Sequence, residues 1–265
     1  MIQPQRIGRF LGVDQFGYVQ PDVAIDLVAE AWKPLIAFVT DALMKRQGVG
    51  SVYLRGSIPR GLAVENVSDA DFIYCSEINF DAADADLEKA AQADFPFVNG
   101  VEIFRLDRAQ LDRVHHPKQR PYFHMLLKTQ SLFLAGEDIT KGIEPFKIGP
   151  DMVSHVFFLA GEFAKLPRLL ERDRKTGSER ATRQWFSRRI VRSGFEVTMN
   201  RTDRFTRDLY LCYEQFAAFY PDRSKQMFGV LLNCLNGGES PLQYEELVAF
   251  LAVESERLTA AARSA

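Results

Sequence analysis

Two short β-prone runs, Val52-Tyr53-Leu54 and Phe72-Ile73-Tyr74, bracket a turn and a pair of acids, and they constrain this chain more than any other stretch. The first run stops at Gly56-Ser57; the second follows directly on Asp69-Ala70-Asp71. Side chains alternate faces along a strand, so Asp69 and Asp71 project from one face. Two carboxylates side by side repel each other unless a proton or a cation lies between them. With further oxygens nearby, a divalent metal is the usual cation, because Mg²⁺ takes one or two carboxylates plus substrate phosphates. A Gly-Ser turn brings backbone N–H groups and a hydroxyl close to an anion, since glycine lets the backbone approach. Phosphates at the turn and metal-binding acids on the next strand together describe a nucleoside-triphosphate site.

Gly56-Ser57, then eleven residues (Ile58 to Ser68), then Asp69-x-Asp71 with apolar neighbours resembles the signature of the DNA polymerase beta superfamily of nucleotidyltransferases. Arg60-Gly61 and Ser68 also fit what many members show. The resemblance implies a third carboxylate on a later strand, written apolar-acid-apolar. Val101-Glu102-Ile103, inside the β-prone Gly100–Leu106 run, matches it best, with Asp107 as the alternative. Taken alone, a Glu in a strand faces solvent. The family pattern further implies two Mg²⁺ ions held by Asp69, Asp71 and Glu102, with Gly56, Ser57 and Arg60 on the phosphates. The donor would be ATP, the commonest among relatives, or another nucleoside triphosphate. A hydroxyl acceptor would take the nucleoside monophosphate and pyrophosphate would leave. The acceptor is open between a small hydroxylated molecule and an RNA end. A different class of function is a catalytically inactive, nucleotide-binding regulatory or interaction module, such as a toxin–antitoxin partner.

Composition is that of an ordinary soluble protein: 265 residues, 46% apolar and 26% charged. No apolar run is long enough for a membrane span, and the first residues lack the apolar core of a secretory signal. Cys75, Cys212 and Cys234 are odd in number and widely spaced, which reads as reduced thiols and a cytoplasmic address. The expected fold class is α+β: a small mixed β-sheet nucleotidyltransferase domain with flanking helices over 1–145, then an all-α helical bundle over 146–265. Ser131 to Ile139 reads as a strand leaving through a Gly turn, and it resembles the segment that closes the catalytic domain of aminoglycoside-type nucleotidyltransferases. Lys141 to Pro150, rich in Gly and Pro, marks the junction. Beyond it, five apolar stripes at helical spacing predict five helices, and this half resembles the aminoglycoside adenylyltransferases in layout only.

The remaining features have structural readings. Ile25 to Leu43 carries a helical apolar stripe that Pro34 should kink or divide. Asp84 and Asp86 repeat the Asp-x-Asp spelling within a helical pattern and read as solvated charges. His115 and His116, with Lys118 and Arg120, read as a surface loop; His124 and His155 read as core-edge residues. Between Arg168 and Arg207, twelve basic residues face five acidic ones, a net of +7 in a chain of net −2. Such a segment is either a solvated helical surface or faces phosphate.

Overall fold

Val52, Tyr53 and Leu54 lie fully buried at the centre of a four-stranded sheet. The computed structural model describes residues 2–115 and 120–261, and His116 and Lys118 of the predicted surface loop lie outside them. The strands are β1 (Val49–Arg55), β2 (Asp69–Ser76), β3 (Gly100–Leu106) and β4 (Ser131–Gly136), in the order β3-β2-β1-β4. β1 is antiparallel to both β2 and β4, whereas β2 and β3 are parallel, so the sheet is mixed. Parallel neighbours need a crossover. Helix α2 (Asp81–Asp94) supplies it, preceded in the chain by α1 (Lys33–Met44) and followed by α3 (Arg108–Leu111) and α4 (Tyr122–Gln130).

Alternation along the strands sorts the core into two clusters. Val52, Leu54, Ala70, Phe72 and Tyr74 pack with Leu35, Ile36, Val39 and Leu43 of α1 and with Leu87 and Ala91 of α2. Tyr53, Ile73 and Leu106 pack with Leu111, Leu126 and Leu127 of α3 and α4. Each fully buried Leu or Val contributes roughly 1.5–3 kcal/mol relative to exposure. The Ile25–Leu43 stripe is divided rather than kinked. Ile25–Leu27 and Glu30–Trp32 form 3-10 turns, and Pro34 sits in the first turn of α1, where its missing N–H costs no helical bond.

Asp84 corrects its sequence reading. It is buried, ion-paired with Arg46, and accepts a hydrogen bond from the Tyr74 hydroxyl at 2.8 Å. A helical charge pattern cannot reveal this, because both partners come from other elements. Asp86 is exposed as expected.

The chain divides into two compact units, Gly12–Lys147 and Met1–Leu11 with Ile148–Ala265. The second contains α5 (Val156–Thr176), α6 (Glu179–Glu196), α7 (Leu209–Phe219), α8 (Pro221–Asn236) and α9 (Glu245–Ala261), matching the five predicted stripes. At its centre the buried Glu196 carboxylate accepts from the backbone N–H groups of Ser154, His155 and Val156, capping α5 from the last turn of α6. That is a tertiary substitute for a local N-cap.

Much of the basic segment is spoken for within this unit. Arg172, Arg174, Lys175, Arg183, Arg189 and Arg201 each approach a carboxylate. Arg180, Arg188 and Arg192 donate to backbone carbonyls.

Candidate functional site

At the end of β1 the chain turns sharply. Gly56 adopts φ +88°, in the left-handed region, and Ser57 opens the 3-10 turn Ile58–Arg60, which Gly61 closes at φ +69°. The Leu62 N–H then bonds back to the Ser57 carbonyl at 3.0 Å. The Ser57 hydroxyl caps nothing in this turn. Glycine at position 56 is required twice over. Its φ suits no other residue well, and a Cβ there would stand 2.9 Å from Oδ2 of Asp71.

That contact places the turn against the acids. In the parallel ladder Asp69 is opposite Gly100 and Asp71 is opposite Glu102. Parallel partners point to the same face, so Asp69, Asp71 and Glu102 share one face, that of Tyr53, Ile73 and Leu106. Gly100 has no side chain to crowd Asp69: a Cβ there would lie 3.1 Å from Asp69 Oδ1. Asn99 Nδ2 donates to the same Oδ1 at 2.8 Å, and the Asn99 N–H bonds to the Ser68 carbonyl. Nothing in the chemistry read from the sequence pointed to Asn99; its position one residue before β3 is the only trace of it.

Electrostatics register the crowding. Glu102 is held above the usual carboxylate range, first by desolvation among its neighbours, then by the charges of Asp71 and Asp69, with Arg55 opposing. Glu102 is nonetheless an exposed residue overall. Asp71 and Asp69 both push Glu102 toward its protonated form, in keeping with the shared face and the β2–β3 register.

Asp107 is placed differently. It lies beyond Leu106, whose partner is Cys75 at the far end of β2, and it accepts from the Gln110 N–H as the N-cap of α3. Arg60 is engaged on the other side of the turn, its Nε donating to Asp22 Oδ2 at 2.7 Å. Among the described residues, Arg55 makes an ion-pair contact with the acids, its Nη2 3.8 Å from Asp71 Oδ2.

Among the described residues, no group of three or more His, Cys, Asp or Glu converges closely enough to hold a metal ion. The donors that do share the face are all carboxylate oxygens. Hard oxygen donors suit Mg²⁺, which keeps coordination places for water and phosphate rather than requiring a protein cage. Gly56 puts no side chain against Asp71 on the side of the turn. Asp69, Asp71 and Glu102 thus fit a hard divalent cation in donor chemistry.

No family model matches the chain, and no curated protein matches it. Among solved structures, the spectinomycin adenyltransferase AAD(9) from Enterococcus faecialis, solved with ATP and spectinomycin, is similar over 86% of this chain and 98% of that chain. The two are 12% identical in sequence, and the TM-score is 0.48.

Proposed function

We propose that this protein is a Mg²⁺-dependent nucleotidyltransferase. It would move a nucleoside monophosphate, AMP from ATP in the first instance, onto a hydroxyl acceptor with release of pyrophosphate. The observation that supports this most is the register that sets Asp71 beside Glu102, with Asp69 on the same face and the Gly56 turn against Asp71. A turn for phosphate and a line of acids for metal are what in-line displacement at phosphorus requires.

In this reading the acceptor oxygen forms a bond to the α-phosphorus while the bond to the oxygen bridging to the β-phosphate breaks. Asp69, Asp71 and Glu102 would hold two Mg²⁺ ions, which supply charge neutralisation on the triphosphate and acidify the acceptor hydroxyl. Glu102, beside Asp71 on the shared face, would be placed to take the acceptor's proton on its carboxylate. Gly56 and Ser57 would meet the β- and γ-phosphates with N–H and hydroxyl donors. Asn99 would keep Asp69 oriented through its 2.8 Å bond. Arg60 would act on the phosphates only by exchanging part of its bonding to Asp22.

Chemistry is assigned to the catalytic domain, expected over 1–145 and corresponding to the compact unit Gly12–Lys147; the helical bundle, expected over 146–265, corresponds to the unit that also takes in Met1–Leu11. A small hydroxylated acceptor is favoured over an RNA end, because so many cations of the Arg168–Arg207 segment already have protein partners. A cytoplasmic address agrees with the three free cysteines, two of them buried. No helix among the described residues is long and apolar enough to cross a membrane.

The test is calorimetric titration of ATP, GTP, CTP and UTP with Mg²⁺ into wild type and the Asp69→Asn/Asp71→Asn double variant. Magnesium-dependent binding that the double variant loses supports the site and identifies the base; absence of binding in wild type refutes it. Binding without pyrophosphate release across an acceptor screen would instead indicate an inactive nucleotide-binding module.

A further inference from the structure

We propose that Arg55 is a phosphate ligand of this site, its guanidinium receiving oxygens of the donor's triphosphate. The inference rests on the nucleotidyltransferase reading above and names a residue that the sequence motif leaves out. Arg55 is the last residue of β1, the cross-strand partner of both Asp71 and Ser131, and the residue immediately before the Gly56 turn. It therefore stands at the same end and on the same face of the sheet as the acids, at the joint between phosphate turn and carboxylates.

Its bonding is incomplete. The guanidinium carries five N–H donors in a planar fork, a shape matched to two oxygens of one anion. Its side chain is only 32% exposed, yet its nearest acid contact is Asp71 Oδ2 at 3.8 Å. That is too long for a hydrogen bond. No shorter side-chain partner is present among the described residues. A counter-ion whose task was to neutralise Asp71 would be expected to close to a bidentate contact below about 3 Å. Arg55 instead stays within Coulombic reach of Asp71 and Glu102 while its donors remain open.

The charge balance argues the same way. A triphosphate arriving beside three carboxylates needs cations besides the metal, or repulsion would defeat binding. Arg60, the basic residue that the motif suggests, is turned to Asp22. Among the described residues, Arg55 is the guanidinium in ion-pair contact with these acids, and it would engage phosphate without giving up a side-chain hydrogen bond.

The test uses the full chain with two probes, Mg·ATP and inorganic tripolyphosphate with Mg²⁺. Wild type, Arg55→Gln and Arg55→Lys are titrated in a calorimeter, with thermal midpoints recorded for each. Loss of a charge-assisted bidentate contact should raise Kd for both probes roughly ten- to a hundredfold in Arg55→Gln. Arg55→Lys should recover only part, because an ammonium lacks the fork. The proposal is overturned if wild type binds tripolyphosphate and Arg55→Gln binds it equally well, a result that leaves the nucleotidyltransferase reading standing. Should Arg55→Gln fail to fold, Arg55→Lys decides, and an affinity equal to wild type overturns the proposal. If wild type binds neither probe, both the reading and this inference fall.

Discussion

Replacing Gly56 by Ala separates what the turn does for folding from what it does for the acids. Two costs add at this position. The first is conformational: φ is +88°, and an L-residue in the left-handed region costs roughly 1–2 kcal/mol. The second is steric: the new methyl would stand 2.9 Å from Asp71 Oδ2, closer than carbon and oxygen tolerate. The carboxylate must retreat, and it cannot do so freely between Arg55 and Glu102. A further cost of about 1–2 kcal/mol is expected for forcing it from its rotamer. Gly17→Ala, in the same compact unit, is the control. Its φ is +80°, but a Cβ there meets nothing within 4 Å, so it bears the conformational cost alone. At roughly 2–4 °C per kcal/mol, Gly56→Ala should melt several degrees below Gly17→Ala. Calorimetry should show Mg·ATP binding abolished in the first and unchanged in the second. Equal melting temperatures together with equal nucleotide affinity would show that the close approach to Asp71 matters neither to the fold nor to the site.

Three further outcomes are expected. Asp84→Ala removes the carboxylate partner of Arg46, leaving it the Ala83 carbonyl, and should cost about 2–4 kcal/mol in denaturant unfolding, against about 1 kcal/mol for Tyr74→Phe. Equal effects of the two would mean that the ion pair is solvated. Glu196→Ala removes the acceptor for three backbone N–H groups and should cost about 3 kcal/mol, with faster hydrogen exchange at Val156; Glu196→Gln, which keeps one oxygen, should recover part. His155 should make the helical unit acid-sensitive. Its imidazole is buried, neither ring nitrogen makes a well-formed hydrogen bond among the described residues, and burial followed by Arg207, Arg192 and Arg189 holds its pKa well below 6.5 against a weak opposing contact with Ser154. The unfolded chain therefore binds a proton that the folded chain refuses, and stability falls as pH drops below about 6.5. Glu196, raised by burial against the pull of its backbone N–H bonds and Arg207, acts in the opposite sense, losing stability as pH rises through its folded pKa. Comparing wild type with His155→Leu across pH 5.5–7.5 by denaturant unfolding isolates the histidine, and parallel curves would refute the assignment.

Much of the fold was legible because its signals are local. Period-two alternation, Gly stops and helical stripes each depend on residues a few positions apart, so the strands around Tyr53 and Ile73 and the five later helices follow from the sequence. The Gly100–Leu106 strand was read to its observed ends. Less legible was the fate of single charges. Asp84 looks solvated until Arg46 and Tyr74 are brought to it from other elements, and the basic run looks like an open patch until its partners along α5, α6 and α9 are known.

The sequence by itself determined that Asp69 and Asp71 share a face, since strand geometry admits no other result at a spacing of two, and that the chain must turn at Gly56. It also marked Glu102 and Asp107 as the acids of the next strand. Only the tertiary structure decided between those two as neighbours of the Asp pair. A slip of the β2–β3 ladder by two residues would have kept every side chain on its own face yet taken Glu102 away from Asp71. The observed register puts Glu102 beside Asp71 and sends Asp107 to cap α3. Likewise, sequence proximity to Gly-Ser drew attention to Arg60, whereas cross-strand pairing set Arg55 beside the acids. Proximity along a chain is local; proximity across a sheet depends on how distant segments pair, and here that pairing assembles the site.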